Sequence, residues 1–494
     1  MMRQLSMTDA FMLAAENRRQ TLQMASVSIL AAPEEGQRRL TREVLRNLVA
    51  ERIHLAPALT RKLVHVPLGL DHPYWVEDAD IDIDFHVRDL ALPAPGDDRQ
   101  LAEKAAQLVA QPLDHSRPLW ELYVIEGLEG GRSALVFKLH HASVDGISGL
   151  DLHEMLFDST PEGRKIPRAK RRTGEPVPSQ WRMLARGVAS LPAQVIGAVE
   201  GGARSLPYLD QLMPFRLLPG VGEAVRTGRR AAGLLPGTGD GKLLEGGGLR
   251  APQTVFDKPI TPHRRWAFVR VPLDEAKGIR RRYGVTLNDV VVATMAGAIR
   301  RWMQEIEALP DEPLVAMVPI SVRPEEAESG GNLVQVMLVP LPTNEDSAER
   351  RLVLTHETLR SAKERHRAVP ASAMQGADTL MMPALFIRAA RAATVLTGLA
   401  GASANTVISN VPGPPEPVYV AGARVEALYP IGGVIEGFGG FTSIVFSYCG
   451  GLDLGIVTDR DAPADPWRLS ELYRESHEEL VALVGPQLVQ MEGA

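Results

Sequence analysis

The chain has 494 residues, of which 45% are hydrophobic and 23% are charged, a composition that excludes an intrinsically disordered or collagen-like protein. Its 54 basic and 60 acidic residues give a net charge of -6, without the basic excess that a protein dedicated to nucleic acid usually carries. The single cysteine, Cys449, excludes an internal disulfide framework and a cysteine-based zinc site.

Three stretches of different composition follow one another along the chain. Residues 1–157 alternate strand-like and helix-like patterns and predict a first α/β unit. Residues 158–260 contain a basic cluster, several prolines and glycine-rich segments, and we interpret them as a long connector that includes some helix. Residues 261–494 predict a second α/β unit. A cleft between two such units is a favoured place for a substrate pocket.

Hydrophobic periodicity predicts the individual elements. Apolar runs bounded by turn residues predict strands at 133–140, 265–272, 314–320, 333–341, 405–409, 441–448 and 452–458. Longer amphipathic patterns predict helices at 101–111, 288–307, 347–367, 378–400 and 466–484. No short-period repeat is found, so a solenoid is not expected.

The opening segment MMRQLSMTDAFML lacks the charged-then-apolar pattern of a signal peptide, and no uncharged apolar run approaches the ~20 residues of a membrane span. We therefore expect a cytoplasmic protein. Three segments also suggest peripheral contact with the inner membrane or with lipid inclusions: the basic cluster of Lys165, Arg168, Lys170, Arg171 and Arg172, the weakly polar stretch 181–217, and the sparsely charged stretch 378–404. A solvated basic loop and ordinary core packing are the alternatives.

Residues 138–149, KLHHASVDGISG, carry the most informative pattern. A predicted buried strand ends in His140 and His141, and a short loop then brings Asp145 and Gly146. Because successive side chains of a strand point to opposite faces, the two histidines are not expected to bind one metal ion, and no metal site is predicted. A histidine at a strand end suits a general base, since its ordinary pKa of ~6.5 lets it accept and return a proton near neutral pH.

Two assignments of the acting histidine remain open on the residues alone. In the first, His141 is the base, Asp145 either fixes the loop by pairing with an arginine or orients the imidazole, and Gly146 permits a tight turn. In the second, His140 and Asp145 form the H-x-x-x-x-D pattern of glycerolipid acyltransferases. The first assignment is preferred because it also uses His141 and Gly146, and both assignments predict acyl transfer. No G-x-S-x-G nucleophile elbow occurs, so direct transfer without an acyl-enzyme is the simpler expectation.

Two further patterns are ambiguous by themselves. Thr286-Leu-Asn288-Asp289 precedes an apolar helical stretch, and these residue types are good helix caps. A helix N-terminus with Asn288 beside it would also stabilise developing negative charge. The segment Ser409-Asn410-Val-Pro-Gly-Pro follows a predicted strand and alone indicates only a turn.

Taken together and in this order, these segments resemble the bacterial wax ester synthase/diacylglycerol acyltransferase family, which is related to chloramphenicol acetyltransferase and to the condensation domains of peptide synthetases. The resemblance covers almost the whole chain. The family's S-x-x-D-x-x-F/M-x-x-E start is matched here by Ser6, Asp9, Met12 and Glu16, and its P-L-W motif by Pro118, Leu119 and Trp120. Its H-H-x-x-x-D-G motif is matched by His140, His141, Asp145 and Gly146. Its N-D motif is matched by Asn288 and Asp289, and its N-V-P-G-P motif by Asn410 with 411–414.

The resemblance implies an α/β fold of two chloramphenicol-acetyltransferase-like lobes, each a mixed sheet with helices, joined by a long, partly helical crossover. It implies an O-acyltransferase that moves a fatty acyl group from acyl-CoA to a long-chain alcohol or to diacylglycerol, with acyl-CoA as co-substrate and no cofactor. His141 would be the general base, His140 would support it, and Asp145 would hold the architecture of the motif. Asn288 would contact the oxyanion or the carbonyl group. The other residues expected to contact substrate are Asp289, Gly146, Pro118, Trp120 and Asn410.

Two other functions stay open at the level of the sequence. A condensation-type acyltransferase would use carrier-bound substrates, and the chain shows no convincing carrier-attachment serine motif. A non-catalytic lipid-binding protein is the other alternative, and the intact histidine motif weighs against it. The sequence does not specify the acyl chain length, the preference between alcohol and diacylglycerol, or the oligomeric state.

Overall fold

The described part of the chain consists of mixed sheets covered by helices. The computed structural model describes residues 2–35, 39–78, 80–146, 155–167, 176–209, 224–225, 227, 251–321, 334–367, 369, 373, 379–389, 403–463 and 465–485. The strands are β1 (Arg3–Gln4), β2 (Gln23–Leu30), β3 (Arg61–Val64), β4 (Tyr74–Glu77), β5 (Val87–Ala91), β6 (Trp120–Glu126), β7 (Ser133–His140), β8 (Arg264–Pro272), β9 (Leu314–Ser321), β10 (Val334–Leu341), β11 (Thr406–Pro412), β12 (Tyr419–Val420), β13 (Ala423–Ile431), β14 (Phe441–Tyr448) and β15 (Gly451–Asp459). The helices are α1 (Met7–Ala15), α2 (Arg42–Arg52), α3 (Ile83–His86), α4 (Asp98–Ala110), α5 (Gln180–Ser205), α6 (Leu273–Tyr283), α7 (Leu287–Glu305), α8 (Ala348–Arg367) and α9 (Pro466–Ala482).

Two mixed sheets of six described strands organise the two lobes. The first has the order β12-β13-β2-β7-β6-β5, and the second has the order β10-β9-β11-β14-β15-β8. In the first sheet β7 runs antiparallel to β2 and β6, whereas β5 runs parallel to β6. A smaller sheet has the order β1-β4-β3. This architecture confirms the predicted two-lobe α/β fold.

Strand β7, which carries the histidine motif at its end, lies in the middle of the first sheet and is buried at every position. A near-continuous apolar run of this kind is expected where both faces of a sheet are covered. Ala134 and Val136 pack in the cluster that includes α4, and Leu135 and Phe137 pack in the cluster that includes α2. The core of the first lobe therefore clamps the strand from both faces.

The predicted elements are confirmed wherever the structure describes them, with ends that differ by a few residues. Only the first part of the predicted helix 378–400 is described, and there 383–389 are helical. Helix α5 confirms that the predicted connector contains helix. Four residues of its basic cluster lie outside the described residues, namely Arg168, Lys170, Arg171 and Arg172.

The second lobe contributes two strands to the first sheet. Strand β13 pairs antiparallel with β2, so that Tyr429 lies opposite Val27, and β12 pairs with β13. At this junction the Leu428 N–H donates to a carboxylate oxygen of Asp453 in β15, at 2.8 Å. Strand β13 is not among the predicted strands, and Pro430 within it is a residue that argues against a strand inside a sheet. The division of the chain at 157 and 261 stays a prediction. Strand pairing nevertheless places residues 419–431 in the first sheet.

Candidate active site

Backbone pairing fixes the strand end that carries the two histidines. Strand β7 pairs with β2 up to its last residue, His140. The His140 N–H donates to the carbonyl oxygen of Leu119 at 3.0 Å, and the His141 N–H donates to that of Leu22 at 2.9 Å. The chain then leaves the sheet in a 3₁₀ turn, His141–Gly146. The sheet therefore holds the motif up to His141, and the chain changes direction there.

His140 is fully buried and lies against a carboxylate. Its Nε2 is 3.2 Å from Oε1 of Glu16, and its Nδ1 accepts a hydrogen bond from the Ala142 N–H at 3.0 Å. The other oxygen of Glu16, Oε2, is 3.0 Å from Nε2 of His115. Burial raises the pKa of Glu16, but the hydrogen bonds with His115 and His140 outweigh it and lower that pKa to about 2. We call Glu16, His115 and His140 the Glu16 cluster.

His141 has a different environment from its neighbour. Burial, reinforced by the proximity of His140, lowers the pKa of His141 to about 4. The residue keeps partial exposure to solvent. Its imidazole is therefore neutral at pH 7, and one ring nitrogen has a lone pair that can accept a proton.

This shift predicts an unusual pH profile. A general base acts only in its neutral form, so the predicted role of His141 gives an acid limb of kcat/KM near pH 4, the pKa of about 4 that the folded protein gives it, and not near the ordinary ~6.5 of histidine. The unfolded chain binds this proton first, so stability also falls as the pH drops from ~6.5 towards 4. Activity and circular dichroism at each pH separate the two effects, and an acid limb near 6.5 in folded protein would contradict the prediction.

Asp145 and Gly146 lie at the end of the 3₁₀ turn. Their side-chain environment lies outside the part of the chain that the structure describes. The predicted architectural role of Asp145, the tight turn at Gly146 and the choice between pairing with an arginine and orienting the imidazole therefore stay predictions.

The P-L-W motif packs in the core of the first lobe, next to the end of β7. Trp120, the first residue of β6, is 1% exposed, and its indole N–H donates to the carbonyl oxygen of Leu59 at 2.7 Å. The ring stacks on His86, with centroids 4.3 Å apart. These contacts give Trp120 a packing role directly after Leu119, whose carbonyl receives the His140 N–H. Contact of Pro118 and Trp120 with substrate stays a prediction.

The N-D motif opens helix α7. A carboxylate oxygen of Asp289 accepts the Thr286 N–H at 2.7 Å, and the Thr286 hydroxyl accepts the Asp289 N–H at 3.2 Å, which is a capping box. The same carboxylate lies 2.7 Å from Nδ1 of His356. The helix-cap interpretation of this segment is confirmed: Thr286 is the N-cap and Asp289 completes the capping box. Asn288 is partly exposed in the first turn of the helix, and its role toward substrate stays a prediction.

The first three residues of the N-V-P-G-P motif belong to a strand and not to the turn that the sequence predicts. Strand β11 extends through Asn410 to Pro412, and Asn410 lies opposite Val445 of β14. The Gly413 N–H donates to the Ser447 hydroxyl at 3.2 Å. A Cβ at Gly413 would lie 2.5 Å from the carbonyl oxygen of Ser447, so any larger residue would push the two segments apart. The prediction of a turn directly after 409 was wrong, because parallel pairing with β14 continues the strand.

A crevice with a volume of about 20 Å³ reaches the 3₁₀ turn. That volume holds about one water molecule. It opens beside the turn residue Ser143, and its other lining residues are Arg3, Gln4, Ser6, Asp9, Ala58, Arg61 and Trp75. The crevice has space for one water molecule beside the turn and is too small for an acyl chain.

Comparison with known proteins identifies the family. The model of the wax ester synthase/diacylglycerol acyltransferase catalytic domain matches residues 5–291, and the model of the WS/DGAT C-terminal domain matches residues 330–481. The chain belongs to the wax ester synthase/diacylglycerol acyltransferase family. The resemblance on which the sequence analysis relied is thereby confirmed, and with it the expectation of an acyltransferase.

Relatives of the WS/DGAT family align over nearly the whole chain. A putative diacylglycerol O-acyltransferase of Mycobacterium tuberculosis is 34% identical over 451 residues, which are 91% of each chain. A probable diacylglycerol O-acyltransferase of the same species is 31% identical over 97% of this chain and 98% of its own. The solved wax ester synthase/diacylglycerol acyltransferase of Marinobacter aquaeolei VT8 matches with a TM-score of 0.65 and 26% identity, covering 98% of this chain and all of that one. The starter condensation domain of rhizomide synthetase shares the fold, with a TM-score of 0.51 at 12% identity over 98% of this chain and 94% of its own.

Sequence reasoning found the two histidines of this WS/DGAT site but missed what holds one of them. Glu16 entered only as a letter of the opening motif, and His115 entered not at all. The two residues are distant from each other and from His140 along the chain, so no local spacing relates them. Only the folding of α1 against the 3₁₀ turn brings Glu16 to His140.

Proposed function

We propose that this protein transfers a fatty acyl group from acyl-CoA to the hydroxyl group of a long-chain alcohol or of diacylglycerol, giving wax ester or triacylglycerol. The state of His141 supports this most directly: its imidazole is neutral at pH 7 and directly follows a buried strand, in a chain of the WS/DGAT family. Acyl-CoA is the co-substrate, and the proposal includes no further cofactor. It places the enzyme in the cytoplasm.

The proposed reaction is a single transfer without an acyl-enzyme. The imidazole of His141 accepts the hydroxyl proton while the oxygen bonds to the thioester carbonyl carbon. The tetrahedral intermediate then breaks its C–S bond, the acyl group stays on the alcohol oxygen, and the imidazolium returns the proton to the CoA thiolate. A pKa of about 4 makes this imidazolium a good acid toward the thiolate but makes the neutral imidazole a weak base toward the alcohol, so the first proton transfer is the demanding one.

Other residues have proposed roles around this step. Asn288, in the first turn of α7, is proposed to contact the oxyanion, because the N-terminus of a helix favours negative charge. Asp289 supports it by capping the same helix. The remaining members of the proposed substrate channel are Gly146, Pro118, Trp120 and Asn410.

The proposal is tested by incubating the purified protein with palmitoyl-CoA and a panel of acceptors, including hexadecanol and dipalmitoylglycerol. We expect thiol release that depends on the acceptor, together with wax ester or triacylglycerol in the lipid extract. A parallel arm supplies the same acyl group on a carrier protein. Transfer from the carrier alone would favour the condensation-type reaction, and no acceptor-dependent thiol release in either arm would favour a lipid-binding protein.

Helix α5 supports a further part of the proposal, contact with a lipid surface. Its most exposed apolar residues recur at intervals of seven and four, which places them on one face of a helix. Trp181 is 80% exposed and Val199 is 71% exposed, and the exposed large apolar residues of the helix, here called the α5 face, are Trp181, Val188, Val195, Ile196 and Val199. Among the described residues, no helix has the length and apolar content needed to cross a bilayer.

The opposite side of α5 packs on the first lobe. Met183 is buried with Val66 and Tyr74, and Gly187 sits so close that a Cβ there would lie 2.8 Å from a methyl group of Val66. The exposed charges of the helix are mostly positive, with Arg182, Arg186 and Arg204 against the single acidic residue Glu200. An apolar stripe bordered by arginines complements a membrane surface that carries anionic lipid.

We expect the protein to float with vesicles of phosphatidylglycerol and phosphatidylcholine, more at low than at high salt. The double substitution Val195→Asp and Val199→Asp should lower the bound fraction by about tenfold or more, since each buried valine contributes ~1.5–3 kcal/mol. Val353→Asp, at another exposed valine on α8, is the matched control and should bind as the wild type does. Equal binding by all three proteins would contradict a role for the α5 face.

A further inference from the structure

The carboxylate of Glu16 has close neighbours on three sides. One oxygen accepts the Leu22 N–H at 3.0 Å and lies 3.2 Å from Nε2 of His140, and the other lies 3.0 Å from Nε2 of His115. The side chain of His140 is fully buried, that of Glu16 is nearly so, and that of His115 is one-third exposed. The Glu16 cluster therefore runs from the core beneath the 3₁₀ turn outward to solvent.

The hydrogen bond on the other side of the His140 ring assigns its proton. Nδ1 accepts the Ala142 N–H at 3.0 Å, so Nδ1 must carry the lone pair. In the neutral ring the proton is then on Nε2, the nitrogen that faces Glu16. The carboxylate is ionised, because its hydrogen bonds with the histidines hold the pKa of Glu16 at about 2 against the effect of burial. An ionised carboxylate is the partner that favours this tautomer.

We propose that Glu16 is a positioning residue for acyl transfer: it fixes His140 as the Nε2–H tautomer, and His140 in turn holds the backbone of Ala142, the residue directly after His141. This inference rests on the proposed role of His141 as general base. The Ala142 N–H is one of the groups that set where the turn begins, and so it sets the direction in which the His141 ring leaves the sheet. Glu16 touches no reacting atom in this scheme and acts only through His140.

A metal ion is the competing explanation for the same three side chains. Two imidazoles and a carboxylate are a common ligand set, and their ligand atoms all lie within 4.8 Å of one another. A metal on Nε2 of His140 would require the ring proton to move to Nδ1. The Ala142 N–H would then face another N–H, and the hydrogen bond seen at 3.0 Å would be lost. The geometry therefore favours a proton between His140 and Glu16 over a metal.

Glu16→Gln tests the proposal with little change of shape. Because Oε1 of Glu16 faces both the Leu22 N–H and Nε2 of His140, the glutamine oxygen that replaces it can still accept from both, but the negative charge that favours the Nε2–H tautomer is lost. We expect kcat to fall by about 10–100-fold, as for other outer partners of functional histidines, with the KM for palmitoyl-CoA little changed. Glu51→Gln, at an exposed carboxylate on α2, is the matched control and should leave kcat unchanged.

Nitrogen-15 spectra of histidine-labelled protein read the tautomer directly. The wild type should show His140 protonated on Nε2, and Glu16→Gln should show a smaller fraction of that tautomer. A different tautomer in the wild type, or a kcat of Glu16→Gln equal to that of the wild type, would overturn the proposal. So would stoichiometric zinc binding in calorimetry that Glu16→Gln abolishes, because it would assign the cluster to a metal.

The tautomer of His140 can still be determined if the Glu16→Gln variant does not fold. The wild-type spectrum needs no variant, so it reports the tautomer even if Glu16→Gln does not fold. Glu16→Asp then serves as the second variant, because its shorter side chain withdraws the carboxylate from His140 and should also lower kcat. Failure of the proposed function would appear separately, as His141→Ala with undiminished transfer while the His140 tautomer is still found as described.

Discussion

Replacing His141 by alanine is expected to lower kcat by about 10²–10⁴-fold, the usual contribution of a general base. The thermal midpoint should change little, because the residue keeps partial exposure to solvent and alanine keeps the backbone hydrogen bond to Leu22. The measurement is thiol release from palmitoyl-CoA with hexadecanol as acceptor, with unfolding followed by circular dichroism on the same samples.

Two companion variants make this result specific. His263→Ala removes an exposed histidine and should retain the wild-type kcat. His140→Ala removes a buried ring that lies between Glu16 and Ala142, so it should lose stability as well as activity. Full activity in His141→Ala, with loss confined to His140→Ala, would contradict the assignment of the base and favour the H-x-x-x-x-D interpretation.

Replacing Arg52 by alanine is expected to destabilise the fold by about 3–5 kcal/mol, the cost of removing one partner from a buried ion pair. Nη2 of Arg52 lies 2.8 Å from a carboxylate oxygen of Asp158, and the two side chains are only 5% and 2% exposed. Asp158 also exchanges two backbone hydrogen bonds with Tyr419 of β12. The pair thus ties α2 of the first lobe to the strand that returns from the second.

Arg46→Ala on the same helix is the matched control for Arg52→Ala. Arg46 lies 2.9 Å from Asp84, but both side chains are exposed to solvent, so this pair should contribute little to stability. The comparison is made by the midpoints of urea unfolding. If the two variants lose the same stability, the buried pair does not hold the lobes together as described.

The sequence predicted the fold best where one segment contains its own signal. Strand β7 was predicted from an apolar run that only a strand covered on both faces requires, and α4 from its apolar spacing and the proline after it. Strand β13 was not among the predicted strands; Pro430 argues against a strand, and its partner, β2, is distant in the chain. Register between distant strands depends on tertiary packing, which local periodicity does not encode.

In the candidate site, too, the features that depend on neighbouring residues were predictable and those that depend on distant residues were not. The paired histidines and the capping box at Thr286 were predictable, because each depends on neighbours within a few residues. The tautomer of His140 was not, since Glu16 reaches it from another element and His115 belongs to none of the recognised motifs. The low pKa of His141 also follows from burial, which exists only in the folded chain.

The central claim is that the alcohol attacks the thioester directly with His141 as the base. Rapid mixing of the enzyme with palmitoyl-CoA alone, followed by acid quenching and intact-protein mass measurement, tests it most directly. We predict no thiol burst and no acylated protein until an alcohol is added, and then thiol and ester in equal amounts. A stoichiometric burst of thiol with an acyl group on the protein, formed without acceptor, would contradict the account.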